Sequence, residues 1–357
     1  MRILHVVNNV TRAGNGISNV AVDLAVEQSR QGHDVAVASA GGSEDSTFVG
    51  LLTDEGVRHH VVDFRIRTPG RVVRAHRDLV RVLDEVGPDV VHVHTLTPTV
   101  LAYLGTRRRR IPVVATVHNE YQRGVRLMGL ADAVVGVSNA VSESMARRGI
   151  PRRRIHTVLN GTVGSPRRPT LRPDQVLSLP PKSVVTVGAV SHRKGADVLV
   201  EAFGSVVQRH PEAHLFLVGH VDWAELPDRL RGQPWADRVH FVGFDPQPQR
   251  YLPGATVFVL ASRRDPMPLV LLEALEVGLP IVASDVDGIP EALLGGTVGH
   301  LARVGDVDDF AAKISQLLDS EDERQRLSLA ARARGAALTV SAMTTGYLGI
   351  YRALAAR

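Results

Sequence analysis

The sequence predicts an α/β protein of two doubly wound units, each a parallel sheet covered by helices on both faces. Short apolar runs rich in Val and Ile alternate with longer amphipathic stretches along most of the chain, the pattern of buried parallel strands joined by helices. The alternation pauses once, over residues 162–181, where Pro166, Pro169, Pro173, Pro180 and Pro181 stand among few apolar neighbours. The length of 357 residues suits about two domains, and an apolar share of 44% allows a sizeable core.

In the first unit, strands are expected at 3–7, 35–39, 90–94, 113–117 and 133–137, each a continuous apolar run. Residues 17–31 read as a helix with Val20, Leu24 and Val26 on its apolar face. The second unit restarts at 183–188 and continues through 215–219, 239–243, 257–261 and 280–284. An amphipathic segment, 341–355, lies beyond its sheet. The expected boundaries are 1–165, a linker at 166–182, 183–338, and a final helix at 339–357.

Composition removes several function classes. No cysteine is present, which excludes disulfides, thiolate catalysis and Cys-ligated zinc. No apolar run reaches the roughly 18 residues of a spanning helix. The opening MRILHVVNNV turns polar too soon for a signal peptide and reads as a buried first strand. Together these features point to the cytoplasm. The net charge is +5, and Lys occurs only at 182, 194 and 313. Residues 1–165 hold 21 basic and 15 acidic groups, the remainder 21 and 22. A basic half can attract an anionic partner. Nucleic acid is not expected, since aromatics make up 4% and no basic stretch interleaves with stacking rings.

In open parallel sheets, ligands bind beyond the carboxyl ends of the strands. Here those ends carry the polar or glycine-containing loops 8–16, 94–98, 118–120, 188–195, 262–268 and 285–291. If the two sheets face each other, these loops surround one crevice, and domain interfaces favour ligands.

The segment 265–273, DPMPLVLLE, is the most informative. Pro268 suits the first turn of a helix, and the free amides of Leu269 and Val270 then form an anion site. Asp265 and Glu273 flank it, one placed for a sugar hydroxyl and the other for a ribose diol. The plain structural alternative is a helix start carrying favourable acidic residues. The segment 188–195, GAVSHRKG, brings Arg193 and Lys194 to a strand end, where cations suit a departing diphosphate; the alternative is a solvated basic loop. The Ala13-Gly14-Asn15-Gly16 loop lets backbone approach a ligand. Asn19 stands where the dinucleotide fingerprint needs glycine, and Ser39 and Ala40 where it needs an acid, which weighs against a dehydrogenase. His118 ends an apolar strand. His92 and His94 share a strand face, and no carboxylate cluster completes a metal site with them. Asp285 and Asp287 read as part of a turn rather than as metal ligands.

Taken in order, these residues resemble glycosyltransferase family 4, of the GT-B fold. The resemblance runs through Gly14 and Gly16, Pro88–Asp89 with His92 and His94, Thr116 to His118, Val137–Ser138, Asn160–Gly161, Val187–Gly188 with Arg193–Gly195, Leu217 to Gly219, Phe241 to Gly243, the acidic pair around Pro268, and Gly288 to Glu291. It implies two facing Rossmann-like domains, with the C-terminal helix crossing back to the first. It also implies a retaining transfer from a nucleotide sugar, with no metal and no other cofactor. Asp265 would then hold donor-sugar hydroxyls, Glu273 the ribose, and Lys194 with Arg193 the diphosphate. His118 would meet the sugar's far hydroxyl, Gly16 would admit phosphate or sugar, and Gly219 and Phe244 would flank the base. Met267, Leu269 and Val270 would supply amides. His118, Asp265 and Lys194 are the catalytic candidates.

Three positions depart from the family. Asp265 stands where glutamate is usual, one methylene shorter. Ala189 replaces a phosphate-binding arginine, and Pro268 replaces a glycine and removes one amide donor. They leave room for an altered donor.

The expected reaction moves a hexose or N-acetylhexosamine from a UDP-sugar first, or a GDP-sugar second, to an acceptor hydroxyl in polysaccharide, glycolipid or natural-product glycoside synthesis. The rivals are a nucleotide-sugar epimerase of the same plan and a degenerate transferase that only binds nucleotide. The acceptor is expected near Arg12, Arg65, Arg67, Thr95 and Glu120. A helix at 71–85 sets Arg74, Arg77 and Arg81 beside Val73, Leu79 and Val80. It is the candidate for peripheral contact with an anionic membrane, against the alternative of a solvated face.

Overall fold

A computed structural model of the chain describes residues 1–12, 16–42, 47–65, 68–168 and 170–356. These form two compact units, Met1–Arg168 with Thr339–Arg357, and Pro169–Leu338.

In the first unit the chain runs β1 (Arg2–Val6), α1 (Gly16–Arg30), β2 (Asp34–Ser39), α2 (Val49–Asp54), β3 (Arg58–Val61), α3 (Pro69–Val86), β4 (Val90–Val93), α4 (Leu96–Thr106), β5 (Val113–Val117), β6 (Ala133–Gly136), α5 (Asn139–Arg147) and β7 (Ile155–Thr157). The seven strands pair in parallel in the order β3-β2-β1-β4-β5-β6-β7. The order reverses between β1 and β4, the switch point where strand-end loops diverge and leave room for a ligand.

The second unit runs β8 (Ser183–Val187), α6 (Ala196–Arg209), β9 (His214–Val218), β10 (Val239–Gly243), β11 (Val257–Leu260), α7 (Leu269–Val277), β12 (Ile281–Ser284), α8 (Ile289–Ala292), β13 (His300–Ala302), α9 (Val307–Asp319) and α10 (Glu321–Ala336). Its six strands are also parallel, in the order β10-β9-β8-β11-β12-β13, with the switch between β8 and β11. Both units are Rossmann-like α/β sandwiches, as the apolar runs predict.

The expected strands sit within one residue of the observed ones because nearly every residue of β1, β2, β4, β5, β6, β11 and β12 is buried. Strands β3, β7 and β13 escaped prediction. They lie at sheet edges, are three or four residues long, and carry half-buried polar residues such as His59, His156 and His300, so they lack a continuous apolar run. Helix starts obey local chemistry: Ser138, Asp306 and Ser320 each accept the amide three residues on, opening α5, α9 and α10.

The start of the expected linker is pinned to the first unit. Asp23, buried on α1, accepts from Ser165 Oγ at 2.8 Å and from both Nε and Nη2 of Arg167 at 2.9 and 2.7 Å. Both side chains of this ion pair are at most 5% exposed. Losing one partner would strand a buried charge, so the pair fixes where the chain leaves this sheet.

The last helix, α11 (Val340–Ala355), belongs to the first unit and packs on α1. Thr339 caps it and pairs with Val163 in a parallel bridge. Its inner face carries Tyr347 and Tyr351, both fully buried. They meet a polar cluster at the centre of the sheet. Tyr351 Oη lies 2.6 Å from His92 Nδ1, and Thr116 Oγ1 donates to Tyr347 Oη at 2.9 Å and lies 2.7 Å from His92 Nε2. From there the cluster extends through Gln28, His5 and His94 to His118.

Burial holds these histidines neutral. His5 is lowered to about 4 and His118 to about 3, mainly by desolvation. His92 and His94 are also well below the ordinary value, by desolvation and then by neighbouring imidazoles. Native pKa values below the unfolded value of about 6.5 mean that the unfolded chain takes up protons first as pH falls. Stability is therefore complete above about 6.5 and is lost between there and 3–4, each histidine adding a slope of about 1.4 kcal/mol per pH unit. The part-buried His33, His59, His210, His214, His240 and His300 shift in the same direction. Urea midpoints measured at pH 8.5, 7.5, 5.8 and 5.0 should be level over the first interval and fall steeply thereafter. A flat profile to pH 5 would contradict the buried, neutral cluster.

Candidate active site

The second unit gathers its candidates where β8, β9 and β11 end. Gly219, just after β9, takes φ +153°, and a Cβ there would lie 2.0 Å from Gly188 O. Glycine alone lets the two strand-end loops touch. Gly195, at φ +66°, opens α6, and a Cβ on it would meet Ala261 O at 1.8 Å. That close approach lays the 188–195 loop against the end of β11.

Lys194 and Asp265 meet across this junction. Lys194 Nζ is 2.5 Å from Asp265 Oδ2, with the side chains 17% and 9% exposed. Ser262 Oγ donates to the same oxygen at 3.2 Å, and the Asp265 amide donates to Asp287 Oδ2 at 2.7 Å. Asp287 sits in the left-handed region at φ +53°. The carboxylate of Asp265 is thus held at one oxygen, and its backbone is held by Asp287. Arg193 is exposed and donates at 3.1 Å to the carbonyl of Arg264, the residue before Asp265. Arg263 clamps the loop with bonds of 2.7 Å to both carboxylate oxygens of Asp197 and to His192 O.

Helix α7 starts beside Asp265. Pro268 precedes it with φ −70° and ψ 121° and is its N-cap, rather than lying in the first turn as expected; no side chain caps the start. The extended ψ turns the chain only after the proline, so Leu269 and Val270 supply the first helical amides, while the amide of Leu271 already donates to Pro268 O. Met267 is buried, and Glu273 is half-buried one turn in. Phe244, beyond β10, is 55% exposed. Asp285 is exposed, and no group of metal-binding residues forms around it among the described residues.

In the first unit, His118 follows β5. It lines a small pocket together with His94, Thr95, Asn119 and Gln122, and its Nε2 bonds His94 Nδ1 at 3.1 Å. Thr95 is buried and donates to Asn8 Oδ1 at 3.0 Å. Glu120 is buried close by in sequence, and Gly16 begins α1. Of the other three acceptor candidates, Arg12 and Arg65 are engaged elsewhere. Arg12 donates to Thr47 O at 2.7 Å and stacks over Phe48. Arg65 is exposed and doubly bonded to Asp63 at 2.8 and 3.0 Å. Ala13 to Asn15 and Arg67 lie outside the described residues.

His5, His92 and His94 place ligand atoms within 4.8 Å of one another, so the pair expected on one strand face becomes a trio. Each of their six ring nitrogens has a hydrogen bond inside the cluster or to Gln28, Thr116, Tyr351 or His118. Sequence reasoning missed His5, Gln28, Tyr347 and Tyr351, because the register that sets His5 beside His92 leaves no trace along the chain. It also missed Ser262 and read Asp287 only as turn; the nearby strand ends were the available signal.

Comparison with known proteins bears on the family and the fold. Residues 14–163 match the family described as Glycosyltransferase Family 4, and residues 167–334 match Glycosyl transferases group 1. The amylovoran biosynthesis glycosyltransferase AmsK of Erwinia amylovora is 29% identical over 218 residues, 58% of this chain and 53% of its own length, so that match spans about half of the relative. The phosphatidyl-myo-inositol mannosyltransferase of Mycobacterium tuberculosis is 28% identical over 302 residues, 78% of each chain. The crystal structure of Anabaena HepE in complex with UDP superposes with a TM-score of 0.83 at 19% identity, covering 99% of this chain and 100% of that one, a likeness of fold. With both halves matched, in this order and on this architecture, the chain belongs to glycosyltransferase family 4 and is a glycosyltransferase of the GT-B fold.

Proposed function

We propose that this enzyme moves a hexose or N-acetylhexosamine from a nucleoside-diphosphate sugar, UDP before GDP, to an acceptor hydroxyl, with retention at the anomeric carbon and without a metal. The observation that carries the reading is the Lys194–Asp265 pair beside the start of α7. Without donor, each charge neutralises the other at 2.5 Å. On binding, the diphosphate takes Lys194 and the leading amides of α7, and Asp265 turns to sugar hydroxyls. Negative charge grows on the diphosphate as the glycosidic bond breaks, so a preorganised ammonium and helix start stabilise the transition state more than the ground state. Glu273 takes the ribose diol, Phe244 and Gly219 the base, and His118 the sugar's far hydroxyl. Retention follows if the acceptor oxygen attacks from the face the diphosphate leaves, with the departing oxygen taking the proton. UDP is favoured because a protein of this fold holds it.

The acceptor is proposed to enter at the Thr95–His118 pocket. On α3, Val73 is 68% exposed and the Arg77 and Arg81 side chains are 60% and 68% exposed. No helix among the described residues is long and apolar enough to cross a membrane. The arginines suit peripheral contact with anionic lipid, and a relative is named for its action on phosphatidyl-myo-inositol.

Incubation with a panel of UDP- and GDP-sugars tests the reaction. Slow release of nucleoside diphosphate, accelerated by one acceptor, is expected; epimerised donor or no nucleotide binding would overturn the reading. Glu273→Ala and Lys194→Ala should each lower kcat/KM by about 10²-fold or more, as for loss of an aligned charge of roughly 3 kcal/mol. Near-normal turnover in either would mean the donor lies elsewhere. Vesicles of anionic lipid should sediment the wild type in low salt, and the Arg74→Glu/Arg77→Glu/Arg81→Glu triple variant should stay in the supernatant. Equal sedimentation of both would remove the membrane contact.

A further inference from the structure

The buried histidine chain of the first unit has a direction. Gln28 Nε2 donates to Tyr351 Oη at 3.5 Å, and its Oε1 lies 2.7 Å from His5 Nε2. A carbonyl oxygen only accepts, so His5 carries its proton on Nε2. A neutral imidazole has one N–H, so His5 Nδ1 accepts, and the proton in the 3.0 Å bond to His94 belongs to His94 Nε2. The same step repeats one ring further. His94 Nδ1 accepts from His118 Nε2 at 3.1 Å, and His118, one of the residues lining the pocket, is left with an unprotonated Nδ1.

The second branch agrees. Thr116 Oγ1 donates to Tyr347 Oη, so it accepts from His92 Nε2. His92 Nδ1 then accepts from Tyr351 Oη, whose oxygen receives the Gln28 amide. With Nε2 on Tyr351 and Oε1 on His5, the Gln28 amide satisfies every bond in both branches, and the opposite orientation would reverse them all. Turning one ring's tautomer alone would put two protons, or none, between neighbouring nitrogens. The chain therefore keeps or reverses its direction as a whole. Burial keeps all four rings neutral, so no extra proton relaxes the constraint.

We propose that Gln28 is a positioning residue for the transfer reaction: through His5 and His94 it holds His118 in the Nε2-protonated tautomer, so that His118 offers the donor sugar an acceptor and never a donor. This rests on the donor reading above and narrows its substrate class. A hydroxyl on the far carbon can give its proton to Nδ1, whereas a carboxylate there meets a lone pair and is refused. Nucleotide hexoses fit this site, and nucleotide hexuronates do not.

The test is the long-range ¹H–¹⁵N spectrum of the full chain labelled at histidine, recorded at neutral pH without donor. His5, His94 and His118 should each show the Nε2-protonated pattern. Gln28→Leu should give His118 a mixture of tautomers and raise the KM for a UDP-hexose about tenfold, the cost of one hydrogen bond, with kcat little changed. Tyr351→Phe, which removes the acceptor of the Gln28 amide, is a second route to the mixture should the leucine variant not fold. A wild-type His118 protonated on Nδ1, or an unaltered tautomer in whichever of these two variants folds, would overturn the proposal. Because the spectra need no donor, failure of UDP-sugars to bind would strike the donor reading and leave the tautomer assignment standing.

Discussion

Tyr351 reaches from α11 to His92 across 2.6 Å, and the interior of the first unit is organised around that contact. A parallel sheet covered on both faces keeps water from its centre, so polar groups placed there must satisfy one another. Here the solution is a closed set: four imidazoles, two phenols, an amide and a threonine hydroxyl. Such a set tolerates no missing member, because a buried donor or acceptor left without a partner costs more than an ordinary hydrogen bond returns. It also fixes the helix that supplies the phenols. The far end of the set surfaces as His118, so the interior that seats α11 is continuous with a side chain at the strand ends.

The second unit reaches a comparable precision by backbone contact. Two glycines bring the loops after β8 and β9 together and press the turn before α6 onto β11. Lys194 and Asp265 therefore face each other from elements far apart in sequence. Asp287 and Ser262 then steady Asp265 from two sides. The shorter side chain of aspartate is matched by this tight seating, since the carboxylate is held where it starts rather than swung out on a longer stem.

The two sheets were legible in the sequence because buried parallel strands need continuous apolar runs, and β1, β2, β4, β5 and β6 have them. Edge strands such as β3, with its Arg-His-His-Val, follow a neighbour's register rather than their own composition. Lys194, Asp265 and His118 were legible for a related reason: each sits at the end of a strand that could be located. What supports them was not. Gln28 looks like any helical glutamine and His5 like part of a first strand, and only the pairing of β1 with β4 sets His5 against His92. Arg65 shows the converse. As a basic residue in a loop it suited an acceptor, but a carboxylate two positions away, Asp63, takes its guanidinium, and the bonds from Arg65 hold that carboxyl down to about 2.

The first unit is discontinuous: its sheet is complete in sequence by Thr157, yet its last helix is separated from it by the whole of the second unit. On the ribosome, the early sheet emerges with His92 and Thr116 lacking their phenolic partners. It must wait in that state through the synthesis of about 190 further residues, some tens of seconds at about 5–20 residues per second. The second unit is contiguous and can close as it is made. The nascent chain therefore holds a finished late domain behind an unfinished early one, and the early sheet is the part exposed to chaperones and proteases during that interval.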